Sequence, residues 1–291
     1  MESTNTHEWN LQQAKKSMAL KKLKIVIWCG AAANQRALAN KIAAEFDVAG
    51  IVIDMHTAKP RKRTPGKFLA IIWDRFRFRK IYKAWSNLMR YYQNRYTTWP
   101  ATRCIQVPDI NDKSTEIFTK GLQPDIVVVS GTSLVRQPLV SLSLPIGIIN
   151  LHTGLSPYVK GGPNCTNWCI ANNEFHRVGN TIMWLNAGID SGNIITTETI
   201  NIQQATDLDM AHQMVMNHAH QLYMKVLKYL ADTNPPYNSV PQKSIEKGNL
   251  YLTKMWTSAA KRNLLKNWNN RDSFVFGKSP VTVHIPNSKQ S

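Results

Sequence analysis

Leu23-Lys-Ile-Val-Ile-Trp-Cys-Gly30 is a short apolar run closed by a glycine. Residues 31–46, rich in helix formers, follow it, and residues 48–55 form a second strand-like run. Strand, helix and strand at this spacing predict a βαβ unit, hence a parallel sheet. The alternation resumes downstream. Residues 102–107 read as a strand, 113–122 as a helix, and Asp125-Ile-Val-Val-Val-Ser130 as a buried strand ending at Gly131. Residues 145–151, 177–185 and 193–202 read as further strands, and 207–231 as a helix. The expected class is α/β, a doubly wound and mostly parallel sheet whose sites lie beyond the carboxyl ends of its strands.

Two segments break this rhythm. Residues 59–100 form an insertion with helical spacing, its helix expected over 67–96. Phe78, Ile81, Trp85, Leu88, Met89 and Tyr92 fall on one face there, with Arg75, Arg79, Lys83 and Arg90 beside or behind it. Pro235-Pro236, with Pro241 close behind, marks a linker to a short basic and aromatic tail. The expected organisation is a polar lead over 1–22, a catalytic domain over 23–234 and a linker with a small appendage over 235–291. The apolar runs 274–276 and 281–285 are expected to pair with a second subunit in a homodimer.

Charge follows the same division. The 291 residues carry a formal net charge of +18. Residues 59–95 hold twelve Lys or Arg against the single acid Asp74, and residues 243–291 hold nine against Glu246 and Asp272. The remainder is neutral, so this is a balanced body with two basic additions and not a uniform nucleic-acid coat. Cys29, Cys104, Cys165 and Cys169 are too scattered for a disulfide framework or a zinc site, so no metal is expected. Without a membrane-spanning run or an apolar signal core, the expected location is the cytoplasm.

The chemistry is concentrated near one strand end. Asn150 and His152 are two apart on an apolar strand and project to the same side. An amide donor beside a titratable ring polarises a carbonyl and stabilises the oxyanion formed when a nucleophile attacks it. Gly154, Pro157, Gly161 and Gly162 make the next loop turn-rich, and residues 186–192 form a second tight loop carrying Asp190. A carboxylate near His152 raises the ring's pKa. On these residues alone the structural reading, a turn former and a strand-end pair, outweighs the catalytic one.

Ile149-Asn-Leu-His-Thr-Gly-Leu-Ser-Pro157, then Gly161, then Asp190-Ser-Gly192, resembles the signature of the 10-formyltetrahydrofolate-dependent formyltransferases. That family's pattern is Asn-x-His-x-Ser-Leu-Leu-Pro, a glycine shortly after, and Asp-x-Gly further on. Here His152 and Asp190 lie 38 residues apart. The one departure is Thr153-Gly154-Leu155-Ser156 where the pattern has x-Ser-Leu-Leu. The resemblance covers roughly residues 23–231. It implies a Rossmann-like formyltransferase fold and formyl transfer from 10-formyltetrahydrofolate to a primary amine. Asn150 would hold the formyl oxygen, His152 stabilise the developing charge, and Asp190 pair with His152 and help remove the amine proton. Leu134, Val135 and Arg136 with Ala187, Gly188 and Ile189 would supply the pterin pocket.

The acceptor is less sharply marked. The turn at Gly30 is poorer in Gly and Ser than the phosphate cradle of glycinamide ribonucleotide transformylase. The 50 residues beyond Pro241 are too few for the C-terminal barrel of methionyl-tRNA formyltransferase. The resemblance therefore favours a nucleotide-linked amino sugar of polysaccharide biosynthesis, with Gly30, Asn111, Asn164 and Trp168 on the acceptor side; for Trp168, core packing competes equally. Other amines, or a non-catalytic nucleic-acid-binding relative, are the alternatives. For the basic insertion a packed lid, an anionic membrane surface at the inner face and RNA all remain open.

Overall fold

The computed structural model describes residues 23–56, 64–162, 164–274 and 278–286. The expected polar lead, the first basic residues of the insertion and the run 275–277 lie outside them. Strand β1 (Lys24–Gly30), helix α1 (Ala33–Glu45) and strand β2 (Asp47–Asp54) make the βαβ unit, with β1 and β2 parallel. Helices α2 (Pro65–Arg77) and α3 (Arg79–Arg95) form the insertion. Then come β3 (Arg103–Val107), α4 (Lys113–Leu122), β4 (Ile126–Ser130), β5 (Gly147–His152), β6 (Val159–Gly161) and α5 (Cys165–Ala171). β7 (Gly179–Trp184), β8 (Ile194–Thr199), α6 (Leu208–Asp232), β9 (Asn249–Tyr251) and α7 (Ser258–Asn269) complete the order.

The sheet runs β3-β2-β1-β4-β5-β7-β8, parallel through β5 and antiparallel at β7 and β8. This is the expected α/β, mostly parallel architecture. Its order reverses between β1 and β4, the switch point beyond whose carboxyl edge such sheets open a crevice. Central strands are buried on both faces and read as continuous apolar runs for that reason. Ile25, Ile27, Ile149 and Leu151 pack on one face against Leu38 and Ile42 of α1 and Leu222, Tyr223 and Leu227 of α6. Val26, Trp28, Val127 and Val129 pack on the other with Ile110 and Leu122.

The 67–96 helix is two helices. Phe78, at φ −107° and ψ 29°, breaks it and sinks its ring into the core. Ile81, Ala84, Leu88 and Tyr92 of α3 are buried as the spacing predicts, but Trp85 is 42% exposed. The tail is no detached appendage. β9 pairs with β6, Trp268 and Leu264 of α7 join the core around α5, and Val240 bridges Ile194. The run expected to pair with a second subunit is used within the chain: Val283 exchanges hydrogen bonds with Thr196 and Thr197 along the edge of β8. That edge is thereby covered internally.

Tyr223 ties α6 to the sheet beneath the site. Its buried hydroxyl accepts from the Val129 N–H (3.0 Å) and shares its proton between the carbonyls of Ile149 (2.8 Å) and Val129 (3.1 Å). Tyr223→Phe removes buried hydrogen bonds to β4 and β5, which costs about 1–3 kcal/mol. We expect a lower urea midpoint with an unchanged slope; a midpoint equal to that of the wild type contradicts this role.

Candidate active site

The carboxyl ends of β1, β2, β4 and β5 open into a cavity of about 900 Å³, at the upper end of the usual range for small-molecule sites. Gly30, Asp54, Ser130, Asn150 and His152 line it from the sheet, and Ala31, Asn34 and Gln35 from the start of α1. Ile149 and Leu151 face the core, so the two-residue period of β5 turns Asn150 and His152 the other way. The Asn150 side-chain amide makes no hydrogen bond within the described residues and borders the cavity.

His152 is held on both nitrogens. Nδ1 lies 3.2 Å from Asp190 Oδ2 and Nε2 lies 2.9 Å from the Val159 carbonyl oxygen. A carbonyl only accepts, and a carboxylate accepts when ionised, so both ring nitrogens carry protons and the ring is an imidazolium. Burial opposes that charge. Asp190, joined by Cys165 and the Val159 carbonyl, outweighs it and pushes the pKa up to about 10. The ring nitrogens therefore point to protein groups, and the donor left facing the cavity is the Asn150 amide.

The loop bearing Asp190 is fixed from three sides. Asp190 sits at φ +44°, a left-handed conformation that Asp tolerates better than most residues. Gly161 N–H donates to Oδ2 at 2.9 Å, and Gln242 Nε2 donates to the carbonyls of Asp190 (2.8 Å) and Gly192 (2.9 Å). Gln242 carries no local sequence signal; it reaches the loop only because the tail folds back. The departure at Gly154 also has a geometric reason. A Cβ there would lie 2.3 Å from His152 Nε2 and 2.8 Å from Cys165 Sγ, so the volume of a side chain is already taken.

Of the other expected residues, Leu134, Val135, Gly188 and Ile189 line the cavity. Arg136 and Asn111 act beside it: the Arg136 N–H donates to Asn111 Oδ1 (2.7 Å), and Asn111 Nδ2 donates to the Leu134 carbonyl (3.0 Å). Asn111 thus shapes the Leu134 loop and is not at the cavity wall, where Ala187 and Arg136 are also absent. Asn164 caps α5, accepting from Asn167 N–H at 3.0 Å. Trp168 is buried, stacked on Tyr251 at 4.4 Å with Trp256 edge-on at 4.8 Å. Packing wins there, because the tail supplies the aromatic partners. Wall residues not foreseen are His56, Trp85, Met216 and residues 251–253. Asp54 accepts from Ser133 N–H (2.7 Å) and His56 N–H (3.0 Å), which holds its carboxyl below the usual range despite burial. Cys165 Sγ lies 3.6 Å from His152 Nε2 but does not line the cavity.

The ion pair sets a pH window. A folded pKa raised above the ordinary histidine value contributes stability that is complete below about pH 6.5 and lost as pH rises towards about 10. In Asp190→Asn, burial acts on the ring without the carboxylate, so His152 is expected to titrate well below its wild-type midpoint by NMR. The stability gap between the two proteins should narrow from pH 6 to pH 10. An unchanged His152 midpoint would remove Asp190 as the cause.

Residues 109–227 match the sequence family described as Formyl transferase. Methionyl-tRNA formyltransferase of Syntrophus aciditrophicus is 28% identical over 134 residues, 46% of this chain and 42% of that protein. The Clostridium tetani protein of that name is 28% identical over 160 residues, 55% and 48% respectively. The chain spans under half the length of these curated relatives. Among solved structures, an N-formyltransferase from Helicobacter canadensis in complex with folinic acid and dTDP-3-aminofucose aligns at TM-score 0.52 and 14% identity, covering 86% of this chain and 82% of that one. A 4-N formyltransferase from Francisella tularensis aligns at TM-score 0.51 and 16% identity, covering 84% and 87%. These likenesses establish a shared fold. The match over residues 109–227 spans Asn150, His152 and Asp190, so the segment that carries these three residues is similar to the formyl transferase family.

Proposed function

We propose that this protein transfers a formyl group from 10-formyltetrahydrofolate to the primary amine of a nucleotide-linked amino sugar. The observation that carries the reading is the Asn150 amide facing the cavity beside the buried His152–Asp190 ion pair. The donor supplies an activated one-carbon acyl group on nitrogen. Leu134, Val135, Gly188 and Ile189, which line the cavity, would contact the pterin ring of the donor.

As the amine adds to the formyl carbon, negative charge grows on the oxygen. Asn150 N–H donates to that oxygen, and the adjacent imidazolium supplies a fixed positive charge in a water-poor setting. His152 keeps its protons on Asp190 and Val159 and acts through its charge. Asp190, at the cavity wall, accepts the amine proton through a bridging water; expulsion of the folate nitrogen, which takes up a proton, completes the transfer. No group of three or more metal-ligating side chains is present among the described residues.

An amino-sugar acceptor is supported by the dTDP-3-aminofucose in the Helicobacter canadensis structure that shares this fold. An aminoacyl-tRNA acceptor is the second reading, favoured by the naming of the curated relatives. Formylation should be measured by mass shift over a panel of dTDP-, UDP- and GDP-amino sugars and charged tRNA. Turnover of an amino sugar supports the first reading, and turnover of tRNA alone replaces it. Asn150→Ala and His152→Ala should each lower turnover by about 10²–10³-fold, with folate binding by calorimetry retained. Cys165→Ala should stay within about tenfold of the wild type, because a thiol behind the ring is no nucleophile; a collapse equal to that of His152→Ala would point to a covalent acyl-enzyme instead.

A further inference from the structure

Helix α2 is amphipathic the wrong way round for a helix of a closed globule. None of its 13 residues is buried. Phe68, Leu69, Ile72, Trp73 and Phe76 are between 49% and 66% exposed. At 3.6 residues per turn these five side chains form a stripe about 140° wide, with Arg75 along one border and Arg77 beyond the other. The inner side carries the two partly buried residues of the helix, Ile71 and Asp74. Asp74 accepts hydrogen bonds from Lys261 (2.5 Å) and Tyr82 (2.5 Å), while Phe78 anchors the helix end in the core. The helix is therefore tethered by its polar edge and turns its apolar stripe outward. A helix of this length is marginal in water without a packed face, so the stripe requires a cover.

Charge selects the cover. In residues 59–95 twelve basic residues face one acid, and that acid is turned inward onto Lys261. Arg75, Arg77, Arg79, Lys80 and Lys83 are all exposed. A second copy of this chain, at net charge +18, would set like charge against like around the stripe. RNA would meet the charges and leave the aliphatic part of the stripe in water. An anionic bilayer satisfies both at once: headgroups meet the basic rim, and the acyl boundary takes Trp, Phe, Leu and Ile.

We propose that α2, with the basic start of α3, is an interfacial anchor that lies flat on an anionic phospholipid surface. No helix among the described residues is long and apolar enough to cross a membrane; this one lies on it. α3 runs on from the anchor and places Trp85 in the cavity wall, about 10 Å along its axis from Phe78. Docking thus sets the α3 side of the cavity near the bilayer. The inference stands independently of the formyl-transfer reading, since it rests on α2 and the basic start of α3.

The test is co-sedimentation of the full chain with large unilamellar vesicles of phosphatidylcholine, with and without phosphatidylglycerol. Wild type should partition onto the anionic vesicles at least about tenfold more strongly than onto the neutral ones, and less so as salt shortens the screening length. Trp73→Ser/Phe76→Ser and Arg75→Glu/Arg77→Glu should each reduce anionic partitioning about tenfold or more. Circular dichroism melts of the Trp73→Ser/Phe76→Ser variant should be unchanged because these side chains are exposed, and those of the Arg75→Glu/Arg77→Glu variant only slightly lowered through the loss of the Arg77 guanidinium over the Phe78 ring. Brominated lipid should quench wild-type fluorescence more than that of Trp73→Phe. Four outcomes overturn the proposal: no binding to anionic vesicles; binding indifferent to the Trp73→Ser/Phe76→Ser change; a wild-type dimer that this double variant makes monomeric by sedimentation velocity; or RNA binding that survives loss of the aromatics while vesicle binding is absent.

Discussion

The contact between His152 and Asp190 joins the carboxyl end of a central strand to a loop 38 residues further along the chain. One partner ends a central strand, and the other sits in the loop between antiparallel strands β7 and β8. A buried imidazolium is costly unless a carboxylate stands beside it. Bringing that carboxylate in requires a left-handed residue, a glycine amide as second donor and a glutamine from the far tail as brace. Each feature is explicable as a means of holding one negative oxygen against one positive ring. The small residue at Gly154 belongs to the same arrangement, because Cys165 and the imidazole fill the space a side chain would need.

This geometry separates the roles of the three polar groups. With both ring nitrogens committed to protein acceptors, His152 contributes a fixed charge, and direct hydrogen bonding into the cavity falls to Asn150. A preorganised positive charge beside a free amide donor is the electrostatic arrangement that stabilises a developing oxyanion without reorganising at the moment of reaction.

The tail illustrates how far integration can differ from composition. Basic and aromatic, following a proline-rich linker, it reads as a separate addition. In the fold it donates Gln242 to the Asp190 loop, Tyr251 to the cavity wall and to the Trp168 stack, and Lys261 to Asp74 of the insertion. The two basic segments thus meet each other through the single acid that one of them carries. Burial of that pair leaves the other cations among the insertion's described residues exposed.

What the sequence determined by itself is local and periodic. Apolar runs such as residues 23–29 and 125–130 are long enough for strands and too short for helices, so the parallel sheet is legible directly. The i, i+2 spacing of Asn150 and His152 likewise places them on one side of a strand without any tertiary knowledge. Only the tertiary structure decided that Trp168 is packing, that Trp85 lines the cavity, that the long insertion helix breaks at Phe78, and that residues 281–285 cover an edge of their own sheet. Those outcomes depend on partners distant along the chain, Tyr251, His212, Lys261 and Thr197 among them, and no periodicity records a neighbour that far away. Hydrophobic patterning says which face is to be buried; only the closed chain says against what.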